Sequence, residues 1–364
     1  MRHFIYILLF LLPILSGKSQ TPEKPLFFST LNAQNGLSQN CVTSICQDST
    51  GYLWFGTYDG LNRFDGYGFT VYRNNNLDSN SLDHNQIREI VSGLQNSLWV
   101  LTGGGLNRLD NRTGQFHRYP LGEKALQLHA TATGEILLLS SRTLYRYLPA
   151  TDSFAPAVTS PHPFTALTEN RKGQIYIGTR NRGILVYSPA FQPTGHLENI
   201  AGFPSAKAVT RLHSDSQGQL WAVAGNTIGR FDTLFQTFTP IPPGGQAMID
   251  KTIRAVIDLD SSHLLFGTFN GLFLIDKTTG EVTSASPSTG QPGELSHFSI
   301  YSLGKDRQGN LWVGTNNGGI NLHTGYNDRF RLIQPERFSG MIGTGTEDSR
   351  GRLWFSTEGG ELFS

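Results

Sequence analysis

An internal repeat of about 43 residues is the feature that most constrains how this chain can fold. Residues 42–65 and 300–315 both run from an apolar start through Asp-x-x-Gly to Leu-Trp and Gly-Thr. All five tryptophans occupy one position of the repeat. With Leu137, Tyr176 and Leu265 filling that position in the other copies, the intervals are 38 to 47 residues. Further copies follow the same register, at residues 87–110, 134–147, 164–187, 215–221, 253–276 and 348–354.

Each unit predicts four short antiparallel strands. In the first unit, Val42 begins a strand that ends at Asp48, and a tight turn follows in which Gly51 accepts a positive φ. Residues 53–57 are apolar on both faces, which predicts a strand covered on both sides. Asp59-Gly60 then predicts a hairpin leading to a third strand. Phenylalanines mark the fourth strands, at Phe69, Phe116, Phe154, Phe191, Phe235 and Phe330.

These units predict an all-β fold, a β-propeller of four-stranded antiparallel blades. One blade cannot cover both of its own faces, so neighbouring blades must stack and the ring must close. The composition is consistent with an all-β fold. The chain has 41 glycines, which favour turns, and only 16% charged residues, which is few for the solvent-exposed faces of amphipathic helices.

Two ways of closing the ring are consistent with the sequence. Residues 26–31 resemble an unpaired fourth strand ahead of the first unit. We expect them to complete the seventh unit, which makes a seven-bladed ring and leaves the eighth unit to start a second ring. The alternative is that they complete the eighth unit, which makes one eight-bladed ring.

The N-terminus has the layout of a secretory signal peptide. Arg2 and His3 precede an apolar run of about twelve residues, whereas a membrane span needs about twenty. Small residues then predict cleavage near Ser19-Gln20 and a periplasmic or otherwise exported product. The predicted domains are therefore a signal peptide at 1–19, a seven-bladed sensor propeller at 20–335 and the first blade of a truncated second propeller at 336–364.

Charge and cysteine content exclude several classes of partner. The net charge is +1 and no basic run exceeds two residues, so nucleic acid is not an expected partner. No CxxC, HExxH or histidine cluster predicts a metal, and we expect no cofactor. Cys41 and Cys46 are expected to be small buried apolar residues without a disulfide.

The unit spanning Asn40 to Asp65 resembles the two-component regulator propeller repeat almost throughout. The resemblance covers about residues 26–364 and is most specific in units one, seven and eight. It implies the N-terminal periplasmic sensor region of a Bacteroidetes-type hybrid two-component sensor histidine kinase. In that family two seven-bladed propellers precede a β-sandwich, a membrane helix and the kinase modules. The resemblance thus implies a sensor fragment or truncated product, with an oligosaccharide as signal.

Catalysis is not predicted for the residues present. The recurring aspartates, such as Asp48 and Asp306, are expected to shape turns, because a catalytic pair would be unique. Binding is expected at the rim formed by the second-to-third-strand hairpins and the fourth-to-first-strand connectors, where an aromatic beside a polar group suits a sugar. The candidate ligand-binding residues are Tyr58, Asp59, His84, Arg142, Arg180, Asn181, Arg182, Phe269, Asn270, Asn316 and Asn317.

The predicted function is an extracytoplasmic propeller that binds a carbohydrate-like ligand and signals to a downstream histidine kinase. Its expected partners are an oligosaccharide and the downstream sandwich and kinase modules, through which it would dimerise and reach the membrane. Two alternatives stay open. The first is a stand-alone propeller enzyme, either a glycan hydrolase or a lyase, because residues 218–231 resemble a blade of streptogramin lyases. A flat apolar rim would instead indicate a protein-interaction scaffold.

Overall fold

The computed structural model describes most of the chain and divides it into two units, Met1–His323 and Thr324–Ser364. The residues described are 26–94, 97–198, 202–204, 208–225, 227–232, 237–242, 252–285, 293–324, 342–350, 352–360 and 362–363. The predicted signal peptide therefore lies outside the described residues. No helix in the described part has the length and apolarity that a membrane crossing needs.

The first unit is a seven-bladed all-β propeller of four-stranded antiparallel blades, as predicted. A short strand, β1 (Ser29–Leu31), and a 3₁₀ turn (Ala33–Asn35) precede the first complete blade. Blades one to three comprise β2 (Val42–Gln47), β3 (Leu53–Thr57), β4 (Gly60–Phe64) and β5 (Phe69–Tyr72); β6 (Ile87–Ser92), β7 (Ser97–Thr102), β8 (Leu106–Asp110) and β9 (Gln115–Tyr119); and β10 (Ala125–Ala130), β11 (Ile136–Ser140), β12 (Thr143–Leu148) and β13 (Ser153–Thr159).

The remaining blades follow the same order along the chain. Blades four to six comprise β14 (Phe164–Glu169), β15 (Ile175–Thr179), β16 (Ile184–Tyr187) and β17 (Pro193–Leu197); β18 (Val209–Ser214), β19 (Leu220–Ala224), β20 (Thr227–Asp232) and β21 (Thr237–Pro240); and β22 (Ala255–Asp258), β23 (His263–Gly267), β24 (Leu272–Asp276) and β25 (Val282–Ser284). Blade seven has β26 (Ile300–Lys305), β27 (Leu311–Thr315) and β28 (Ile320–His323).

Strand β1 supplies the missing fourth strand of blade seven. It pairs antiparallel with β28, with Thr30 opposite Asn321. The expected seven-bladed closure is confirmed, and the alternative of one eight-bladed ring is wrong. The separate second unit is a three-stranded sheet of β29 (Ile342–Glu347), β30 (Leu353–Thr357) and β31 (Leu362–Phe363).

The recurring aspartate does more than shape its turn. Asp48 Oδ1 accepts the backbone N–H groups of Thr50, Gly51 and Tyr52 at 2.9–3.1 Å, while Oδ2 accepts the indole N–H of Trp54 at 2.8 Å. The same aspartate-to-tryptophan bond occurs at Asp215, Asp306 and Asp348. In these four units the carboxylate therefore ties the turn to the tryptophan of the strand that follows it.

The cores lie between adjacent blades. Trp54 of blade one is 1% exposed and packs with Ile87, Leu98 and Val100 of blade two. Gly56 allows this approach, because a Cβ there would lie 2.6 Å from the Ile87 side chain. The second strands β3, β11, β15, β19 and β27 are buried along their whole length, which is the covered strand that the apolar runs predict.

One of the fourth-strand markers is wrong. Phe191 lies before β17 and takes a left-handed conformation, with φ of 60°, instead of lying in the strand. In blade five, Phe238 occupies the strand β21. Phe235 and Phe330, the other two residues predicted to mark fourth strands, lie outside the described residues.

Candidate functional site

The first strands of the seven blades surround a cavity of about 610 Å³ at the centre of the ring. Six of these strands have a β-bulge at the second residue, which has no pairing partner on the neighbouring strand. Such β-bulges re-aim side chains. The bulged residues of β6 and β26 are Arg88 and Tyr301, and both line the cavity.

An arginine between two aromatic rings forms the best-defined part of this cavity. The guanidinium carbon of Arg254 lies 3.4 Å from the ring centroid of Phe269 and 3.7 Å from that of Tyr301. The Tyr301 hydroxyl is 3.2 Å from the hydroxyl of Tyr58, and the two rings meet edge to face. This aromatic–arginine cluster, Tyr58, Arg254, Phe269 and Tyr301, combines blades one, six and seven.

Three further charged side chains line the cavity, namely Arg88, Glu89 and Arg211. The backbone N–H of Leu128 donates to Glu89 Oε2 at 2.6 Å. Although the Glu89 side chain keeps some contact with solvent, burial raises its pKa to about 7, against the opposing effects of that bond, Arg211 and Arg88. Burial lowers the pKa of Arg211, with Glu89 opposing the shift.

Two of the candidate binding residues belong to the aromatic–arginine cluster. Tyr58 lines the cavity and is 41% exposed, and Phe269 contacts Arg254 and is 40% exposed. The hydrogen bond with Tyr301 raises the pKa of Tyr58, and burial adds to the shift. Both residues therefore offer an accessible aromatic face beside a fixed cation.

The candidates near these two make local contacts instead of lining the cavity. Asp59 forms an ion pair with Arg73 at 3.0 Å and accepts from Asn85 at 3.2 Å. His84 is exposed, and its Nδ1 accepts the backbone N–H of Gln86 at 2.9 Å.

The candidate asparagines support the hairpins. Thr268 donates to the Asn270 side chain at 2.6 Å, and the Cys41 thiol donates to Asn316 Oδ1 at 3.6 Å. Asn317 is exposed beside them at the tip of the blade-seven hairpin. Burial raises the pKa of the free Cys41 thiol to about 11.

The candidate arginines lie on other blades of the same rim. Arg182 forms an ion pair with Glu198 at 3.2 Å, and its carbonyl oxygen contacts the His196 ring at 2.6 Å. Arg180 and Asn181 are exposed at the blade-four hairpin, and Arg142 is exposed at the blade-three hairpin. None of these residues lines the central cavity.

The charged residues of the central cavity were absent from the sequence-based prediction, as was Tyr301 of the aromatic–arginine cluster; the charged residues are Arg88, Glu89, Arg211 and Arg254. Arg88, Glu89 and Arg211 lie at the second or third position of a first strand that begins with Ile87 or Val209, and Arg254 follows Ile253 and immediately precedes β22. A charged residue at that position in several repeats was the available signal. Simple alternation of apolar and polar residues does not anticipate the bulges of β6 and β18, which bring Arg88, Glu89 and Arg211 to the cavity.

A second polar cluster, between blades five and six, resembles a catalytic arrangement in its residue types. Asp258 accepts from His213 at 3.0 Å, from Ser216 Oγ at 3.0 Å and, at closer range, from Lys277. Lys277 is 3% exposed and also donates to the carbonyl oxygen of Asp260 at 3.1 Å. Burial alone would raise the pKa of Asp258, but the bonds from His213 and Lys277 hold it well below its usual range. The cluster neutralises buried charges and joins two blades.

Among the described residues, no group of three or more His, Cys, Asp or Glu side chains is arranged around a common point.

The fold and the cavity define the class of this protein as a seven-bladed β-propeller with a charged central cavity. The chain carries two-component regulator propeller repeats, because the model of that family matches residues 36–59 and 294–317. The resemblance seen in the sequence is confirmed.

A histidine kinase of Formosa agariphila is 45% identical over 76 residues, which cover 21% of this chain and 5% of that protein. The chain thus matches a small part of that relative.

Solved structures with the same fold include extracellular domains from B. thetaiotaomicron. That of a putative hybrid two-component system has a TM-score of 0.70 at 23% identity, over 93% of this chain and 48% of that chain. That of a putative one-component system has a TM-score of 0.69 at 20% identity, over 92% and 45%. This chain therefore spans about half the length of these domains. A streptogramin B lyase has a TM-score of 0.62 at 14% identity, over 82% and 98%. At these identities the likeness shows the shared fold.

Proposed function

We propose that this chain is the ligand-sensing propeller of a two-component signalling system and that it acts outside the cytoplasm. The regulator propeller repeats and the related segment of a histidine kinase support the signalling role. The fold shared with extracellular domains, together with the short apolar segment near the N-terminus, supports an exported, periplasmic location. The chain would signal to a histidine kinase through downstream modules.

The ligand we propose is an oligosaccharide bound at the mouth of the central cavity. The observation that carries this proposal is the aromatic–arginine cluster beside a cavity of about 610 Å³, a volume typical of small-ligand sites. Aromatic faces stack on the C–H faces of sugar rings, and a fixed arginine donates to hydroxyl or acidic groups. Tyr58 and Phe269 supply the accessible faces.

The wider organisation is part of the same proposal. Residues 336–364, which include the Asp348–Trp354 pair, would begin a second propeller. A β-sandwich and kinase modules would follow, and dimerisation would take place through them. Ligand binding without chemical turnover is the proposed activity of the residues present.

Isothermal titration calorimetry of the purified chain against neutral and acidic oligosaccharides, with product analysis of each mixture, tests this function. We expect saturable binding of at least one oligosaccharide without a change in the sugar. Tyr58→Ala should weaken that binding by about tenfold, the value of one aromatic contact. Tyr67→Ala is the matched control, because Tyr67 is 98% exposed on the turn between β4 and β5 and does not line the cavity. Turnover of a sugar would overturn the sensor assignment in favour of an enzyme such as a lyase.

A further inference from the structure

The charged groups that line the central cavity are strongly unbalanced. Among the described lining residues, Arg88, Arg211 and Arg254 are cationic and Glu89 is the acidic residue. The whole chain carries a net charge of only +1, so this concentration of guanidinium groups is local. Positive groups gathered in a cleft attract and retain anions, because the surrounding protein screens them less than water does.

Arg254 is held in one orientation but is incompletely hydrogen-bonded. The rings of Phe269 and Tyr301 lie against its guanidinium group at 3.4 and 3.7 Å. Its Nη1 atom is buried and has no hydrogen-bond partner among the described residues. Buried donors of this kind are rare in folded proteins, and a ligand acceptor would satisfy this one.

The other two arginines have their positions set by backbone acceptors. Arg88 Nη1 donates to the carbonyl oxygen of Ala125 at 2.8 Å. Arg211 donates through Nε to the Arg254 carbonyl at 3.2 Å and through Nη1 to the Thr210 carbonyl at 2.8 Å. Each guanidinium carries five N–H donors, so these bonds orient both groups and leave donor capacity for a ligand.

We propose that the central cavity binds the carboxylate of a uronic acid residue, with Arg254 as its principal partner and Arg88 and Arg211 as supporting cations. The inference rests on the proposed sugar-sensing function and adds the chemical class of the sugar. The sugar ring would lie against Tyr58 at the mouth of the cavity.

A carboxylate fits this arrangement because its geometry matches that of the clamped arginine. The guanidinium group is planar, so Arg254, held against two rings, offers its N–H donors only in the plane of that group. The two coplanar oxygens of a carboxylate can accept two such donors at once, which makes a bidentate, charge-assisted pair.

Calorimetric titration of the full chain with digalacturonate, its dimethyl ester and a sulfated disaccharide tests the proposal. The ester keeps the size of the ligand but removes both charges, so we expect it to bind at least about tenfold more weakly. Affinity for digalacturonate should also fall as salt is added. Tighter binding of the sulfated disaccharide would overturn the assignment to a carboxylate.

Substitutions locate the site on the molecule. Arg254→Gln should lower the affinity for digalacturonate by about tenfold or more, and Arg88→Gln should lower it as well. Arg112→Gln is the control, because Arg112 is 86% exposed on the turn between β8 and β9. Thermal unfolding of each variant shows whether it is folded. If Arg254→Gln does not fold, the affinity of Arg88→Gln for digalacturonate decides whether the anion binds in the central cavity.

Two further results would overturn the inference in distinguishable ways. Loss of binding in Arg180→Gln with full binding in Arg254→Gln would place the anion at the outer rim. Equal affinity for digalacturonate and its ester would overturn the carboxylate site and leave the sugar-sensing function standing. Binding of no sugar at all, neutral or acidic, would instead overturn the proposed function itself.

Discussion

Glu89 is the residue whose environment differs most from what its position in the sequence indicates. A glutamate on a strand normally faces water, but the bulge of β6 brings this one to the central cavity. Burial raises the pKa of Glu89 to about 7. The hydrogen bond from the Leu128 backbone and the charges of Arg211 and Arg88 oppose this shift without cancelling it. The folded protein therefore holds a proton on Glu89 over a pH range in which the unfolded chain does not.

The first prediction concerns the pH dependence of stability. The pKa of Glu89 is raised from 4.5 to about 7 in the folded protein, so the fold favours the protonated carboxyl group. The stability of the folded protein therefore falls as the pH rises between those two values, because the carboxyl group must lose its proton. We expect Glu89→Gln to raise the free energy of unfolding by about 2 kcal/mol at about pH 8. At about pH 5 the free energy of unfolding should equal that of the parent chain. Urea unfolding at both pH values measures this.

Glu358→Gln provides the control, since Glu358 is exposed and does not line the cavity. Its stability should follow that of the parent chain at both pH values. Destabilisation of Glu89→Gln at about pH 8 would contradict the prediction. It would show that the attraction between the carboxylate and the arginines outweighs the cost of burying the carboxylate.

The turn and the strand that follows it act as one structural element through the aspartate-to-tryptophan bond. Blade four shows the chemical logic of this bond, because Asn170 and Tyr176 replace the usual pair. There the Asn170 amide donates to the Tyr176 hydroxyl at 3.2 Å, while its oxygen accepts two backbone N–H groups of the turn. A tryptophan, which can only donate, needs the carboxylate, whereas a tyrosine can accept from an amide.

The second prediction follows from this pairing. Asp48→Asn places an amide N–H₂ beside the indole N–H of Trp54, so that one buried donor loses its acceptor. Asp48 is 1% exposed, and we expect the free energy of unfolding to fall by about 2 kcal/mol. Chemical denaturation measures the change. Asp65→Asn is the matched control, because that exposed turn residue accepts only backbone N–H groups, from Tyr67 and Gly68, which an amide oxygen can also accept.

The ring as a whole is closed by residues that are far apart in sequence. Phe28 immediately precedes β1, is 5% exposed, and packs with Leu265 and Leu274 of blade six and with Leu311 of blade seven. Its backbone N–H donates to the Gly293 carbonyl at 2.7 Å. The N-terminal segment therefore anchors the last two blades as well as completing the seventh sheet.

The third prediction tests this closure. Phe28→Ala removes a buried ring and should lower the free energy of unfolding by about 3 kcal/mol. The loss should appear as a shift of one cooperative transition of the ring, because opening the closure exposes faces that every blade needs covered. Leu77→Ala, at a connector residue that is 97% exposed, should leave the transition unchanged. Independent unfolding of blade seven in Phe28→Ala would contradict the model of a ring stabilised by closure.

The sequence by itself determined the fold, because the same turn and strand pattern recurs in every repeat and predicts the same four strands each time. Asp-x-x-Gly turns, apolar second strands and Gly-led hairpins predicted the strands of blade one to within a residue at most ends. Weak copies without tryptophan, at Leu137 and Leu265, still formed blades, since spacing and burial do not depend on that residue.

Only the tertiary structure decided how the ring closes and which charged residues meet. The closure depends on pairing between β1 and β28, which lie about 290 residues apart. The central cavity depends on Arg88, Arg211 and Arg254 converging from three blades, with Arg88 and Arg211 on bulged strands. The sequence places Tyr58 and Phe269 on hairpins of one rim, but their proximity to Arg254 follows from curvature accumulated over the whole ring. Local periodicity determines strands, whereas contacts between distant blades follow from the way in which all seven blades pack.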